Sequence, residues 1–470
     1  MAHFGLKKER SSVIFGSNAK IKKTMLNQLY QEKKRSGDNQ TLAWHFSDQL
    51  AQYLGSFLSE LDRYLDKRLV RTFFDLVGCI VRFRDRHNGL VLSELGAYLL
   101  GPPKAAAGTK RISNLFRSRK WTHHLIEDYL LNRSIRRIRQ LIESGIRPLL
   151  LWDESVIEKP ESWFSEGLCA VRSAKGKRLK RIKPGYYAPP GGTIHVPGFH
   201  WMGIVLSGLH VEASILAMKW WSSRGKARMH YGTVRDNLIY QMAKVLPTGV
   251  VHVLDRGFAG RPWLRKMFEY EQHFILRWPK GFHLMDLKGV EKKAWKFSIG
   301  RRSMDTTMII NTQNRTRQKI GMRYTEVRHP DWPEQKLTLV ISRPGKRRRP
   351  WYLLTNLPVN SHQDAWEVIF SYAKRWKIEQ VFRFAKTEMA MESPRLWFWE
   401  NRLKCMMIIS LAIDFLLHLL QKGRTDSIQA LLKSWCPRTG NRCRNTSTPI
   451  YRLRLALSHA WNYWLIQNSG

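Results

Sequence analysis

RPLLLWDESVI, residues Arg147 to Ile157, is where the texture of the chain changes. Before it, from about Thr41 to Gly145, apolar residues recur with a helical period, as in FSDQLAQYLGSFLSELDRYL and LIEDYLLNRSIRRIRQLIESG. Here a short apolar run ends in two acids instead. It reads as a buried strand that delivers a carboxylate at its end. The residues after it set the fold class. HWMGIVLSGLH and VEASILAMKWW read as two strands, and TVRDNLIYQMAKVLP as a helix. VVHVLDRGF reads as a buried strand, RPWLRKMFEYEQ as a helix, and HFILRW as a fifth strand.

Strand, strand, strand, helix, strand, helix, strand is the order of a ribonuclease-H-like α/β domain. A loop from about Glu158 to Pro197 interrupts it, with seven Lys/Arg between Arg172 and Lys183. From Pro279 to Val359 the pattern alternates like β structure (TTMIINT, KIGMRYTEVR, LTLVISR, WYLLTN), and helical periodicity resumes at Ser361. A β-rich insertion before the last catalytic helix is the economical reading. The expected organisation is a helical N-terminal DNA-binding region over 1–145, a first core part over 146–278 and the β-rich insertion over 279–359. The last core part covers 360–395, and a helical C-terminal region covers 396–470. Within the first region, VLSELGAYLLGPPKAAAGTKRISNLFRSRKW suggests a helix, a Gly/Pro turn and a basic helix. A helix-turn-helix-like DNA reader and two core helices with a solvated basic face both fit it.

Composition narrows the partner. The 470 residues include 80 Lys+Arg against 37 Asp+Glu, a net charge of +43. The cations are spread along the chain, so the folded body itself is expected to meet a polyanion. The apolar run Cys405–Leu420 is interrupted by Asp414 and His418 and falls short of the roughly 20 residues of a bilayer span. It reads as a buried helix, so no membrane partner is expected. The start, MAHFGLKKERSS, lacks a signal-peptide apolar region. Five scattered cysteines without a CxxC pair fit a reducing cytosol and argue against a structural zinc site. His195 and His200 have no partners at zinc spacing and read as structural, and Trp220 and Trp221 as packing residues.

Asp153 and Asp255 each close an apolar run, LLLWD and VVHVLD. Two carboxylates brought side by side need a positive group between them, and a divalent cation is the usual one. An Asp alone at a strand end is ordinary turn chemistry. A third acid changes the balance. In YAKRWKIEQVFRFAKTEM, Tyr372 to Met389, there is no Gly or Pro, which reads as one helix. At about 100° per residue, Tyr372, Arg375, Glu379 and Lys386 share an arc of about 60°. Trp376 and Arg383 border that arc at roughly 40° and 20°. A solvated face rarely carries Tyr and Trp; one acid with several phosphate contacts explains the mixture.

Tyr-x2-Arg-x3-Glu-x6-Lys, filled by Tyr372, Arg375, Glu379 and Lys386, resembles the signature of the insertion-sequence-4 family of DDE transposases. Asp153 and Asp255, the latter in DRGFAG, resemble the family's first and second acids, and WYLLTNLPV (Trp351–Val359) resembles the end of its insertion. The likeness spans about Arg147 to Met389. It implies that Asp153, Asp255 and Glu379 hold two Mg²⁺ ions, with Mn²⁺ as a substitute. It implies cutting of double-stranded DNA at element ends, joining to target DNA, a hairpin intermediate, and a homodimer in the synaptic complex. Tyr372, Arg375 and Lys386 would grip phosphates, and Trp351 would receive an extruded base. Among the loop cations, Lys177, Arg178, Lys180 and Arg181, and the cluster Lys346–Arg349, backbone contact is the better reading on so basic a chain. The implied location is the bacterial cytoplasm, at the nucleoid. A catalytically inactive or domesticated relative that only binds ends is the alternative, and the intact acids and signature stand against it. Whether Glu154 assists is open.

Overall fold

A computed structural model describes residues 39–85, 89–162, 164–173, 184–188, 190, 192–310, 317–344, 349–421, 425–438 and 448–467. Strand β1 (Leu149–Glu158) begins with four buried apolar residues. It lies between β3 (His195–Gly208), antiparallel to it, and β5 (Val251–Leu254), parallel to it. Outside these, β4 (Val211–Trp221) pairs antiparallel with β3, and β6 (His273–Arg277) pairs parallel with β5. Antiparallel neighbours need only tight turns, whereas parallel ones need crossovers. Helices α6 (Tyr231–Val245) and α7 (Arg261–Glu269) occupy the connections before β5 and β6. The order β4-β3-β1-β5-β6 is the ribonuclease-H-like one expected from the sequence.

Two expectations change here. The stretch read as a loop after Glu158 contains a strand, β2 (Cys169–Arg172), on the free edge of β3. Its residues alternate buried and exposed, and Cys169 and Val171 pack on Val196. Asp153 is also not at a strand end. β1 runs on to Glu158, because β3 stays paired with it along its whole length.

The alternating stretch forms β7 (His283–Met285), β8 (Glu291–Lys293), β9 (Asp305–Ile310), β10 (Arg317–His329), β11 (Trp332–Arg343) and β12 (Trp351–Thr355). β12 pairs antiparallel with β6, matching Leu353 to Arg277, so all twelve strands belong to one sheet. Thr355 Oγ1 fastens that seam by donating to the Phe274 carbonyl at 2.6 Å. The seam sets Trp351 near the end of β6.

Helices precede the sheet in the chain. α1 covers residues 39–61. Next come α2 (Lys67–Arg82), α3 (Leu92–Leu100), α4 (Ala105–Arg117) and α5 (His124–Glu143). α3 and α4 form the expected pair around Pro102–Lys104. Their backbones meet at two glycines: a Cβ on Gly108 would lie 2.2 Å from the Gly96 carbonyl oxygen. α10 (Trp399–Gln421) is apolar and long enough to cross a membrane by composition, yet 89% of its apolar window is buried inside the fold, where it packs on β4 and α5.

By compactness the chain divides into residues 56–423 and a smaller unit of 1–55 with 424–470. In the smaller unit, α11 (Asp426–Trp435) packs on α12 (Ile450–Gln467), and Trp461 donates to the Ala43 carbonyl at 3.0 Å. α2–α5 and α10 fall within the larger unit, with the sheet.

Candidate active site

Successive side chains of a strand point to opposite faces. In β1 this sorts four residues into two pairs. Trp152 faces the core, where its Nε1 donates to His252 Nδ1 at 3.0 Å. Burial holds the His252 imidazole down to about 4, so it is a neutral acceptor. Glu154 lies on the same face and accepts from Tyr231 Oη at 2.5 Å and from Arg235 Nε at 2.8 Å. Arg235 also stacks over the Tyr231 ring at 3.9 Å and donates to the Gly257 carbonyl at 3.3 Å. Glu154 thus ties β1 to the loop after Asp255. Asp153 and Ser155 face the other way, toward the signature residues.

Asp255 follows the last residue of β5. Parallel pairing matches Leu149 with Val251 and Leu151 with Val253. Continuing that register by two residues sets Asp153 level with Asp255, on neighbouring strands.

The signature stretch is two helices, not one. α8 (His362–Ala373) carries Tyr372, and α9 (Trp376–Thr387) carries Glu379 and Lys386. Between them the backbone tightens: Arg375 N–H bonds the Tyr372 carbonyl at 3.0 Å, and Lys377 N–H the Lys374 carbonyl at 2.8 Å. These i→i+3 bonds turn the chain by about 120° per residue rather than 100°, so the single arc is not kept. The four residues still reach the same place. Tyr372 Oη donates to Asp255 Oδ1 at 2.9 Å. Arg375 Nη1 lies 3.6 Å from Asp153 Oδ2, and its Nη2 bonds Glu379 Oε1. Lys386 Nζ donates to Ser155 Oγ at 2.7 Å and lies 3.8 Å from Glu392 Oε1.

Arg375, only 8% exposed, is therefore the positive group among the acids. Burial alone would pull its guanidinium down; Tyr372, Asp255 and Glu379 together hold it above its ordinary value. The two aspartates are pushed apart. Burial raises the Asp153 carboxyl to about 6, against the pull of the Glu154 N–H and Arg375. Burial also works on Asp255, but the Arg256 N–H, Arg375, Tyr372 and Arg277 outweigh it and hold this carboxyl below its usual range. Burial and the neighbouring Asp255 raise the Tyr372 phenol. Arg277, at the end of β6, stands 3.8 Å from Asp255 Oδ1.

An all-carboxylate donor set suits a hard divalent cation. Asp153, a partly buried acid whose carboxyl is raised to about 6, fits that need. The three acids are not drawn into one tight cluster, since Arg375 spans them. Among the described residues, the trio of metal-type donors with atoms within 4.8 Å of one another is His123, His124 and Glu127. There the Lys219 ammonium already pairs with Glu127.

The other expected residues are scattered. Trp351 meets the Tyr372 ring edge-on, with centroids 5.1 Å apart. Trp376 and Arg383 are exposed on α9. Lys177, Arg178, Lys180, Arg181 and Lys346–Arg348 lie outside the described residues. His200 stacks on Trp221 at 5.3 Å and Trp220 on Trp201 at 6.0 Å, the packing roles expected. Ser155, Arg277, Glu392, Tyr231 and Arg235 were not anticipated. Arg277 ends an apolar strand run, the same signal that marked the aspartates.

Residues 233–413 match the family model of the transposase DDE domain. The chain carries a transposase DDE domain. Such a domain is an enzyme's, cleaving DNA and transferring strands, and enzymes of this kind use divalent metal ions. The matched span of the DDE domain contains Asp255, Trp351, Tyr372, Arg375, Glu379 and Lys386; Asp153 lies before it. Among solved structures the chain is similar to the piggyBac transposase synaptic complex with hairpin DNA. The identity is 12%, the TM-score is 0.40, and the match covers 86% of this chain and 73% of that one. None of the curated proteins matches the chain.

Proposed function

We propose that this chain is a cut-and-paste transposase of the insertion-sequence-4 kind, working as a homodimer on double-stranded DNA at the nucleoid of a bacterial cell. The observation that carries the reading is the convergence of Asp153, Asp255 and Glu379 on Arg375 and Tyr372. Asp153, Asp255 and Glu379 would hold two divalent ions, Mg²⁺ or Mn²⁺, which supply Lewis acidity to the attacking and leaving oxygens. The chain's own residues do the rest. Tyr372 and Arg277 fix the Asp255 carboxylate, and Glu154 with Arg235 fixes the loop behind it. Arg375 bridges Asp153 and Glu379, and its guanidinium would offer donors to a phosphate oxygen at the site. Lys386 stands beside Ser155 for a second phosphate contact. Trp351, half-buried against Tyr372, offers an indole for a base displaced when the cut strand folds into a hairpin.

The test is a cleavage time course on DNA carrying the element's ends. Asp153→Asn, Asp255→Asn and Glu379→Gln should each abolish nicking in Mg²⁺ while duplex binding stays within about two-fold, because binding rests on dispersed cations. Near-normal nicking by Asp255→Asn would sink the assignment.

A further inference from the structure

The apolar helix α10 carries two polar residues that its burial does not explain, Asp414 and His418. With Gln421 they fall at i, i+4 and i+7, on one face. Across from them α5 presents Arg133, Arg137 and Gln140 at the same spacing, with the exposed Arg136 alongside. These two polar stripes form the walls of a groove of 410 Å³, floored by Ser214 of β4.

The groove is built rather than incidental. Asp414, 3% exposed, accepts from the Ile215 N–H at 2.7 Å and lies 3.9 Å from Arg133 Nε. It anchors that guanidinium over the groove. Arg137 Nη2 donates to the Glu212 carbonyl at 3.1 Å, and burial pulls its guanidinium below the ordinary value. Gln421 Nε2 donates to the Ala213 carbonyl at 2.9 Å. Ser214, 6% exposed, lines the groove, and its Oγ has no hydrogen-bond partner among the described residues. Three arginines against one already engaged acid leave the groove net positive, and planar guanidinium forks match phosphate oxygens.

We propose that this groove binds a backbone phosphate of DNA, at a place separate from the catalytic acids. The occupant rests on the reading of the chain as a DNA-acting enzyme. A free phosphate ligand would use the same chemistry, so the experiment separates the two sources. Binding of the full chain to duplex DNA is titrated at several salt concentrations. Arg136→Gln, at an exposed position where folding is not at risk, should flatten the log–log salt slope by about 0.9. Arg136→Gln with Arg137→Gln should flatten it by roughly 2 and weaken binding about ten-fold or more at moderate salt. In parallel, inorganic phosphate is added to thermal melts of the wild type and the double variant, and should stabilise both equally little. Unchanged slopes with normal wild-type binding overturn the groove while leaving the transposase reading intact. Unchanged slopes with phosphate stabilising only the wild type also overturn it, in favour of a small phosphate ligand. Failure of the wild type to bind DNA at all overturns the transposase reading itself.

Discussion

Asp153 shows how one residue's surroundings decide what it can do. It belongs to a strand whose other face is packed with Trp152 and His252, and its partly buried carboxyl stands near two further acids, with the Arg375 guanidinium 3.6 Å away. Burial dominates and lifts it from 3.8 to about 6. The sign follows from linkage: the unfolded chain releases this proton earlier than the folded one does. Asp153's contribution to stability is therefore full below about pH 4 and is lost as pH rises through about 6. The loss is on the order of 2–3 kcal/mol. In metal-free buffer, Asp153→Asn should therefore be more stable than the wild type at pH 8, and the difference should shrink towards pH 4. Denaturant melts at the two pH values measure it. An Asp153→Asn gain that is equal at both would mean that the carboxyl's charge is not what costs stability.

At the scale of elements, the α3–α4 pair sets helix propensity against packing. Alanine is favoured over glycine inside a helix by about 1 kcal/mol. Position 108 should reverse that preference, because its Cβ would meet the Gly96 carbonyl oxygen at 2.2 Å and its carbonyl carbon at 2.8 Å. These are backbone atoms, which cannot rotate away. Gly108→Ala should thus destabilise the chain by about 1–3 kcal/mol, the usual cost of overpacking. Equilibrium denaturation gives the sign directly, and a stabilised Gly108→Ala would show that the two helices do not cross this closely. The α8–α9 junction makes a similar point about elements. A uniform helix would have kept Tyr372 and Glu379 on one arc, whereas a turn of i→i+3 bonds lets buried Arg375 reach two acids.

For the whole molecule, two compact units mean that a ligand of the sheet acts on the larger one. The acids all lie in residues 56–423, so Mg²⁺ should raise that unit's unfolding temperature. At one hundred times the dissociation constant the gain is about 2.7 kcal/mol. Scanning calorimetry in EDTA and in Mg²⁺ reads the shift, which should vanish in Glu379→Gln. A shift that persists in that variant would place the ion elsewhere. A net charge of +43 makes any binding to a polyanion salt-sensitive, so such comparisons need fixed ionic strength.

Local pattern determined much of this protein. Apolar runs of strand length gave β1, β3, β4, β5 and β6 in order, and of the four spaced residues Tyr372, Arg375, Glu379 and Lys386, Tyr372 bonds Asp255 and Arg375 pairs with Asp153 and Glu379. Periodicity of two and of 3.6 is written in neighbouring residues, so it survives in a bare sequence. Pairings between distant segments are not written there. Nothing near β12 announces that it will join β6, roughly eighty positions earlier, and nothing near Glu154 announces Tyr231 and Arg235. The role of Asp414 was hidden for the same reason: it interrupts an apolar helix, and only the approach of α5 and β4 turns the interruption into one wall of a groove. The sequence called for a positive charge between the acids and offered a metal ion for it. Tertiary structure decided that Arg375 stands there too, because a tightened turn aims a buried guanidinium, and a turn's direction depends on how two helices pack against a sheet.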